Sequence, residues 1–139
     1  TERLDREIKV EEILQALLDE YVCDEGPYRL LDYDLLMGRS DDQRCVAHVE
    51  VAQSKVTIEG EGSGPIEAFV NGMVETLNEP LNIVDYHEHA MSTGKDAQAI
   101  SIVAIDDGDG RCIGVGVSRN TITASLNAIV SALNRRWSG

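Results

Sequence analysis

The residue types that could do chemistry are few. His87-x-His89 would set two imidazoles on one face of a strand, a workable pair of metal ligands. No neighbouring Cys or third His completes a set, so a surface or interface pair is the favoured reading. Gly60-x-Gly62-x-Gly64 stands before a helical pattern, as a phosphate cradle would, but it lacks the P-loop lysine, and Glu61 would repel a phosphate. Glycines serving a tight turn and close packing are the simpler account. Asp107-Gly-Asp109-Gly lacks the ligand spacing and terminal Glu of an EF-hand loop and reads as a turn. Ser125 and Ser131 have no His-Asp arrangement to activate them. No catalytic constellation and no metal site emerges.

Binding is better represented than catalysis. Ala90, Ala97 and Ala99 put small side chains where strands usually carry β-branched ones. Such positions leave room for an apolar ligand or a close backbone approach, and a tightly packed core explains them equally well. Two helix N-termini, at Gly64 and Asn120, offer backbone amides to an anion such as a carboxylate. Room for an apolar group beside a carboxylate site would suit an amino acid.

The elements that would hold these residues are repeated. Residues 58–77 recur at 114–133, with Gly60/Gly116, Ile66/Ile122, Ala68/Ala124, Asn71/Asn127, Val74/Val130 and Leu77/Leu133 identical. Leu31-Asp32-Tyr33 is echoed by Val84-Asp85-Tyr86. Strands are expected at 28–37, 44–52 and 55–59, then a helix with Gly64 at its cap, Pro65 at the first helical position and the buried stripe Ile66, Phe69, Val70, Met73, Val74 and Leu77. The second half gives strands at 81–91, 97–105 and 111–117, with a hairpin at 107–110. A helix capped by Asn120 follows, carrying Ile122, Leu126, Ile129, Val130, Leu133 and Trp137. The expected fold is α+β: two pseudo-symmetric β-β-β-α units, about 28–80 and 81–137, forming one domain over 28–139. Residues 1–27 read as an N-terminal helix and linker, with Val10, Ile13, Leu14, Leu17, Leu18 and Tyr21 at helical spacing. The pattern leaves open whether that helix packs on this domain or on a neighbour.

The 139 residues suit one domain, and 42% hydrophobic with 27% charged residues is ordinary for a soluble globular protein. Twelve basic against 25 acidic residues give a formal charge of −13, which disfavours nucleic acid and anionic membrane surfaces as partners. No run reaches the length of a membrane span. Cys23, Cys45 and Cys112, an odd number lying in or beside apolar runs, read as free thiols of a reducing cytoplasm. A start at Thr1 fits a piece of a longer polypeptide.

Several of these motifs occur together in one family. With Gly62-Ser-Gly64-Pro65-Ile66, Asp85-Tyr86, Gly94-Lys95-Asp96-Ala97-Gln98-Ala99, Gly114-Val-Gly116 and Thr123-Ala124-Ser125-Leu126-Asn127-Ala128, the chain resembles the C-terminal regulatory domain of 2-isopropylmalate synthase. The resemblance implies a pair of β-β-β-α units that dimerises and binds the feedback inhibitor leucine near the dimer interface. By the same resemblance, the leucine pocket falls on Ile66, Ile83, Tyr86, Ala90, Ala97, Ala99 and Val117, while Glu67 and Arg119 stand where the family has apolar or small residues. It also implies a catalytic (β/α)8 barrel elsewhere in the polypeptide, which holds a divalent metal and condenses acetyl-CoA with 3-methyl-2-oxobutanoate. This chain would then carry neither cofactor nor activity. The related citramalate and homocitrate synthases carry similar domains answering to isoleucine or lysine-pathway signals. A free-standing amino-acid-binding dimerisation module and a purely structural dimerisation domain without a ligand are the remaining alternatives. A dimer is further expected because the strand at 97–105 is largely apolar on both faces and one helix layer covers only one.

Overall fold

Alternation decides which face of each strand is buried. The computed structural model describes residues 26–38, 41–78, 80–90 and 98–138. Strands β1 (Tyr28–Met37), β2 (Gln43–Val51) and β3 (Ser54–Gly62) form one antiparallel sheet in that order, followed by helix α1 (Pro65–Leu77). Strands β4 (Asn82–Ala90), β5 (Ala99–Asp106) and β6 (Arg111–Ser118) form a second antiparallel sheet, followed by helix α2 (Thr121–Ser138). Cys45, Ala47 and Val49 of β2 and Ile58 of β3 are fully buried, as are Val103 and, nearly so, Ile105 of β5; they face Phe69 and Met73 of α1 and Leu126, Ile129 and Leu133 of α2 in one core. The α+β pair of β-β-β-α units read from the sequence is therefore the fold. The proposed N-terminal helix, Cys23, the turn at 92–96 and Ala97 lie outside the described residues, as does the side chain of Trp137.

Glycines set the distance between helix and sheet. A Cβ on Gly60 would strike the Ala68 carbonyl oxygen and the Gly72 amide; one on Gly116 would strike the Ala124 carbonyl oxygen and come within 2.6 Å of the Ala128 nitrogen. Each helix thus lies directly on its third strand, and α1 and α2 obey the same 56-residue shift as the glycines. Gly60 and Gly62 are consequently strand residues: β3 runs on to Gly62, three residues beyond the expected strand end at 59. The first turn of α1 carries Pro65 and Glu67 as expected, while Gly64 caps it in extended conformation and Asn78 ends it in the left-handed region. At the 107–110 hairpin, Asp107 Oδ1 accepts from the amides of Asp109 (2.9 Å) and Gly110 (3.0 Å), and Gly108 takes φ +96°.

The repeat extends to an irregularity. A register shift falls between Leu30 and Asp32 in β1 and at the equivalent place, between Ile83 and Asp85, in β4. The two halves are nevertheless used differently. Helix α2 packs on β6 and β5 and also on β1 of the other half. The Tyr28 amide donates to Asn134 Oδ1 (2.9 Å), Asn134 Nδ2 donates to the Tyr28 carbonyl (2.8 Å), and the hydroxyls of Tyr33 and Thr123 pair at 2.6 Å. The eleven residue steps of helix from one anchor to the other rise about 16 Å, which matches the five strand steps facing them at roughly 3.3 Å each. A strand and a helix of equal reach are thereby tied at both ends.

The outward face of the second sheet is less bare than its sequence implies. Ile100 and Val115 are 0% and 1% exposed, and of the apolar residues that β5 and β6 turn to that face only Ile113 passes into the exposed class. The two-faced apolarity of β5 therefore gives a weaker reason for dimerisation than expected. Among the described residues, no helix is long and apolar enough to cross a membrane.

Candidate functional site

Three cross-strand pairs at one end of the second sheet build the site. Tyr86 pairs with Val103, Glu88 with Ser101 and Ala90 with Ala99. Because side chains alternate, Tyr86, Glu88 and Ala90 share the face that α2 covers. Above them stands Ser125 in the first turns of α2. Its hydroxyl lies 2.7 Å from the Tyr86 hydroxyl and 3.2 Å from that of Ser101, and donates to Glu88 Oε1 (3.3 Å) or to the Thr121 carbonyl (2.9 Å). The Tyr86 hydroxyl also donates to Glu88 Oε1. Burial and the Glu88 carboxylate both hold the Tyr86 phenol above its ordinary pKa, so it stays a neutral donor. The arrangement is a floor of two methyl groups, Ala90 and Ala99, beside a wall of three hydroxyls and one carboxylate.

The expected site residues divide across this geometry. Tyr86, Ala90 and Ala99 come together. Ile83 faces the same side of β4, but it pairs with Ile105, roughly 20 Å along the strand from Ala90. Val117 pairs with Ile100 and points to the opposite face, since its neighbour Gly116 is the residue turned to α2. It lines a cleft of about 620 Å³ between β1, β6 and α2, with Arg29, Leu30, Val130 and Asn134. Ile66 is half-buried in the first turn of α1, over the other sheet. Ala97 falls outside the described residues. Glu88, Ser101 and Ser125 were not legible as functional residues, although Glu88 and Ser101 each sit two residues from an alanine that was singled out.

The two helix N-termini also differ. Asn120 Oδ1 accepts from the amides of Ile122 (2.9 Å) and Thr123 (3.1 Å), so its own side chain engages the donors that an anion would use. Gly64 supplies no side-chain cap, and the nearby Ser63 hydroxyl donates to Glu67 instead (2.6 Å). Of the two ends, the one at Gly64 keeps its amides clear of a capping side chain.

His87 Nε2 sits 3.0 Å from Asp85, and His89 shares its outward face; among the described residues, no group of three His, Cys, Asp or Glu is placed to hold a metal. Cys45 and Cys112 are free thiols, and burial pushes Cys45 up to about 11, an inert core thiol at neutral pH.

Comparison with known proteins agrees with this architecture. The family model described as LeuA allosteric (dimerisation) domain matches residues 7–137. Among the relatives, the 2-isopropylmalate synthase of Clostridium acetobutylicum is 36% identical over 140 residues, covering 97% of this chain and 25% of the relative. That of Brucella suis is 33% identical over 138 residues, covering 97% and 25%, and that of Cupriavidus taiwanensis is 36% identical over 117 residues, covering 84% and 20%. The chain spans about a quarter of the length of the curated relatives it matches. With a matched pair of β-β-β-α units and a family match over nearly the whole length, the chain belongs to the LeuA allosteric (dimerisation) domain family.

Proposed function

We propose that this chain is the feedback-sensing domain of a 2-isopropylmalate synthase: a homodimer that binds L-leucine and thereby controls a catalytic barrel of the same polypeptide. The observation that carries the reading is the family match over residues 7–137. The chemistry of the site supports it. An aliphatic side chain fits over Ala90 and Ala99, and Glu88 with its hydroxyl neighbours is placed to accept an ammonium group. The clear amides at Gly64 would suit the carboxylate. In this reading the condensation of acetyl-CoA with 3-methyl-2-oxobutanoate, and the divalent metal it uses, belong to the barrel, and this chain needs no cofactor. The free thiols fit a cytoplasmic protein, and the charge of −13 disfavours nucleic acid and anionic membranes as partners.

Thiol release from acetyl-CoA tests the division of labour. The expected result is no release by this chain alone with 3-methyl-2-oxobutanoate, and release by the full-length polypeptide that falls when leucine is added. Activity of the isolated chain, or a full-length enzyme indifferent to leucine, would refute the proposal.

A further inference from the structure

The cleft between β1, β6 and α2 carries hydrogen-bonding groups that the leucine site does not use. Both strands run antiparallel to α2: Tyr28 and Tyr33 of β1 meet Asn134 and Thr123, while Gly114 and Gly116 of β6 meet Ala132 and Ala124. The two strands therefore run parallel to each other. Each is nevertheless the edge of its own sheet, and no ladder joins them. The space between them, about 620 Å³, is of a size that encloses ligands.

Along a strand, the N–H and C=O of one residue point to one side and those of the next residue to the other. The Tyr28 amide and carbonyl reach Asn134, away from β2, so those of Leu30 also point toward the cleft. The Val115 amide reaches Ser131 Oγ (3.4 Å), away from β5, so the amide and carbonyl of Val117 face the cleft from the opposite wall. Helix α2 thus satisfies one end of the cleft with Asn134 and Ser131. At the other end, the edge groups of Leu30 and Val117 have no partner among the described residues. Asn127, one turn before Ser131, lines that end half-buried, and its carboxamide bonds to no described residue. In the first half the equivalent amide, Asn71 Nδ2, donates to the carbonyl of Glu61 (2.8 Å), the counterpart of Val117. The same carboxamide is engaged in one repeat and open to the cleft in the other.

We propose that this cleft is a peptide-binding slot, taking an extended segment that ends in a carboxylate as an added strand between β1 and β6. A peptide presents donors and acceptors alternately to its two sides, which is what free edge groups on facing walls require. Leu30, Val117 and Val130 give the slot an apolar lining for one side chain of the segment. The carboxylate is assigned by charge. In a chain of −13, the described lining contains no acidic residue and one basic residue, Arg29, which makes no ion pair with a described residue. The slot is distinct from the leucine site, since Val117 and Ala99 lie on opposite faces of the second sheet.

Nuclear magnetic resonance of the isotope-labelled chain tests this, with acetyl-Thr-Val-Thr bearing a free carboxylate as the probe. In the free chain the Leu30 and Val117 amides should exchange quickly with solvent. Added peptide should shift both signals saturably and slow their exchange about ten-fold or more. The same peptide N-methylated at valine should give no saturable shift. Its C-terminal amide should bind about five-fold more weakly, as should the parent peptide to Asn127→Ala. Leucine should shift the signals of Tyr86 and Ser101 and leave Leu30 and Val117 in place, so the two sites stand or fall separately. No saturable shift at Leu30 and Val117 with millimolar peptide overturns the proposal, as does binding indifferent to N-methylation or to the terminal amide. Amides of Leu30 and Val117 already protected in the free chain would show the slot filled, and overturn it too. Should Asn127→Ala lose its fold, the measurements on the unmodified chain decide alone.

Discussion

Replacing Gly116 by valine should cost the domain its native fold or lower its melting temperature by about 10 °C or more. The new Cβ would collide with the Ala124 carbonyl and stand 2.6 Å from the Ala128 nitrogen and 3.0 Å from the Asn127 Cβ. None of these is the far end of a flexible side chain, so the helix itself must lift from β6. Overpacking of this kind costs about 1–3 kcal/mol, and more where backbone must move, out of roughly 5–15 kcal/mol that hold a domain together. Gly60→Val should act alike in the first half, because Ala68 and Gly72 close over it in the same way. Gly64→Ala is the contrast. Nothing lies within 4 Å of its added Cβ and its backbone is extended, so its melt should stay within about 0.5 kcal/mol of the parent. A Gly116→Val domain that melts like the parent would mean that α2 does not lie directly on β6.

Ala99→Phe should weaken leucine binding by about ten-fold or more. Ala99 is 9% exposed, opens toward the exposed Ala90 across the strand pair, and stands two residues from Ser101 at the polar wall. A phenyl ring there occupies the floor on which the aliphatic side chain would rest. Burying that side chain contributes about 1.5–3 kcal/mol, which corresponds to ten-fold or more in affinity. Overpacking could also weaken the fold, so a thermal melt belongs beside the calorimetry. In full-length enzyme the same substitution should relieve inhibition by leucine. A folded Ala99→Phe domain that binds leucine as tightly as the parent would place the pocket elsewhere.

The fold was legible because its determinants are local. Pro65 at the first helical position, Asn120 as a cap, the Asp-Gly-Asp-Gly hairpin and the alternation of Cys45, Ala47 and Val49 each fix their own neighbourhood. The doubled glycines disclosed the repeat because each copy must let a helix approach a strand. What escaped depends on partners distant in sequence. Ser125 becomes interesting only when α2 lies over the pair Glu88–Ser101, and no spacing rule joins residues 88, 101 and 125. That Val117 lies on the face away from Ala99 has a reason visible afterwards: Gly116 is small so that a helix can lie on it, and alternation turns Val117 away. The seating of α2 on β1 had no sequence signal at all. It emerges from two hydrogen bonds across 106 residues, Tyr28 to Asn134.

Calorimetric titration of the folded chain with leucine, isoleucine, valine and lysine, one at a time, tests the central claim most directly. The account predicts saturable binding of leucine, tighter than that of isoleucine or valine, because the site offers a small apolar floor beside donors and one carboxylate, and no heat of binding from lysine, whose second ammonium has no partner there. Absence of any leucine binding, or a clear preference for lysine, would contradict it.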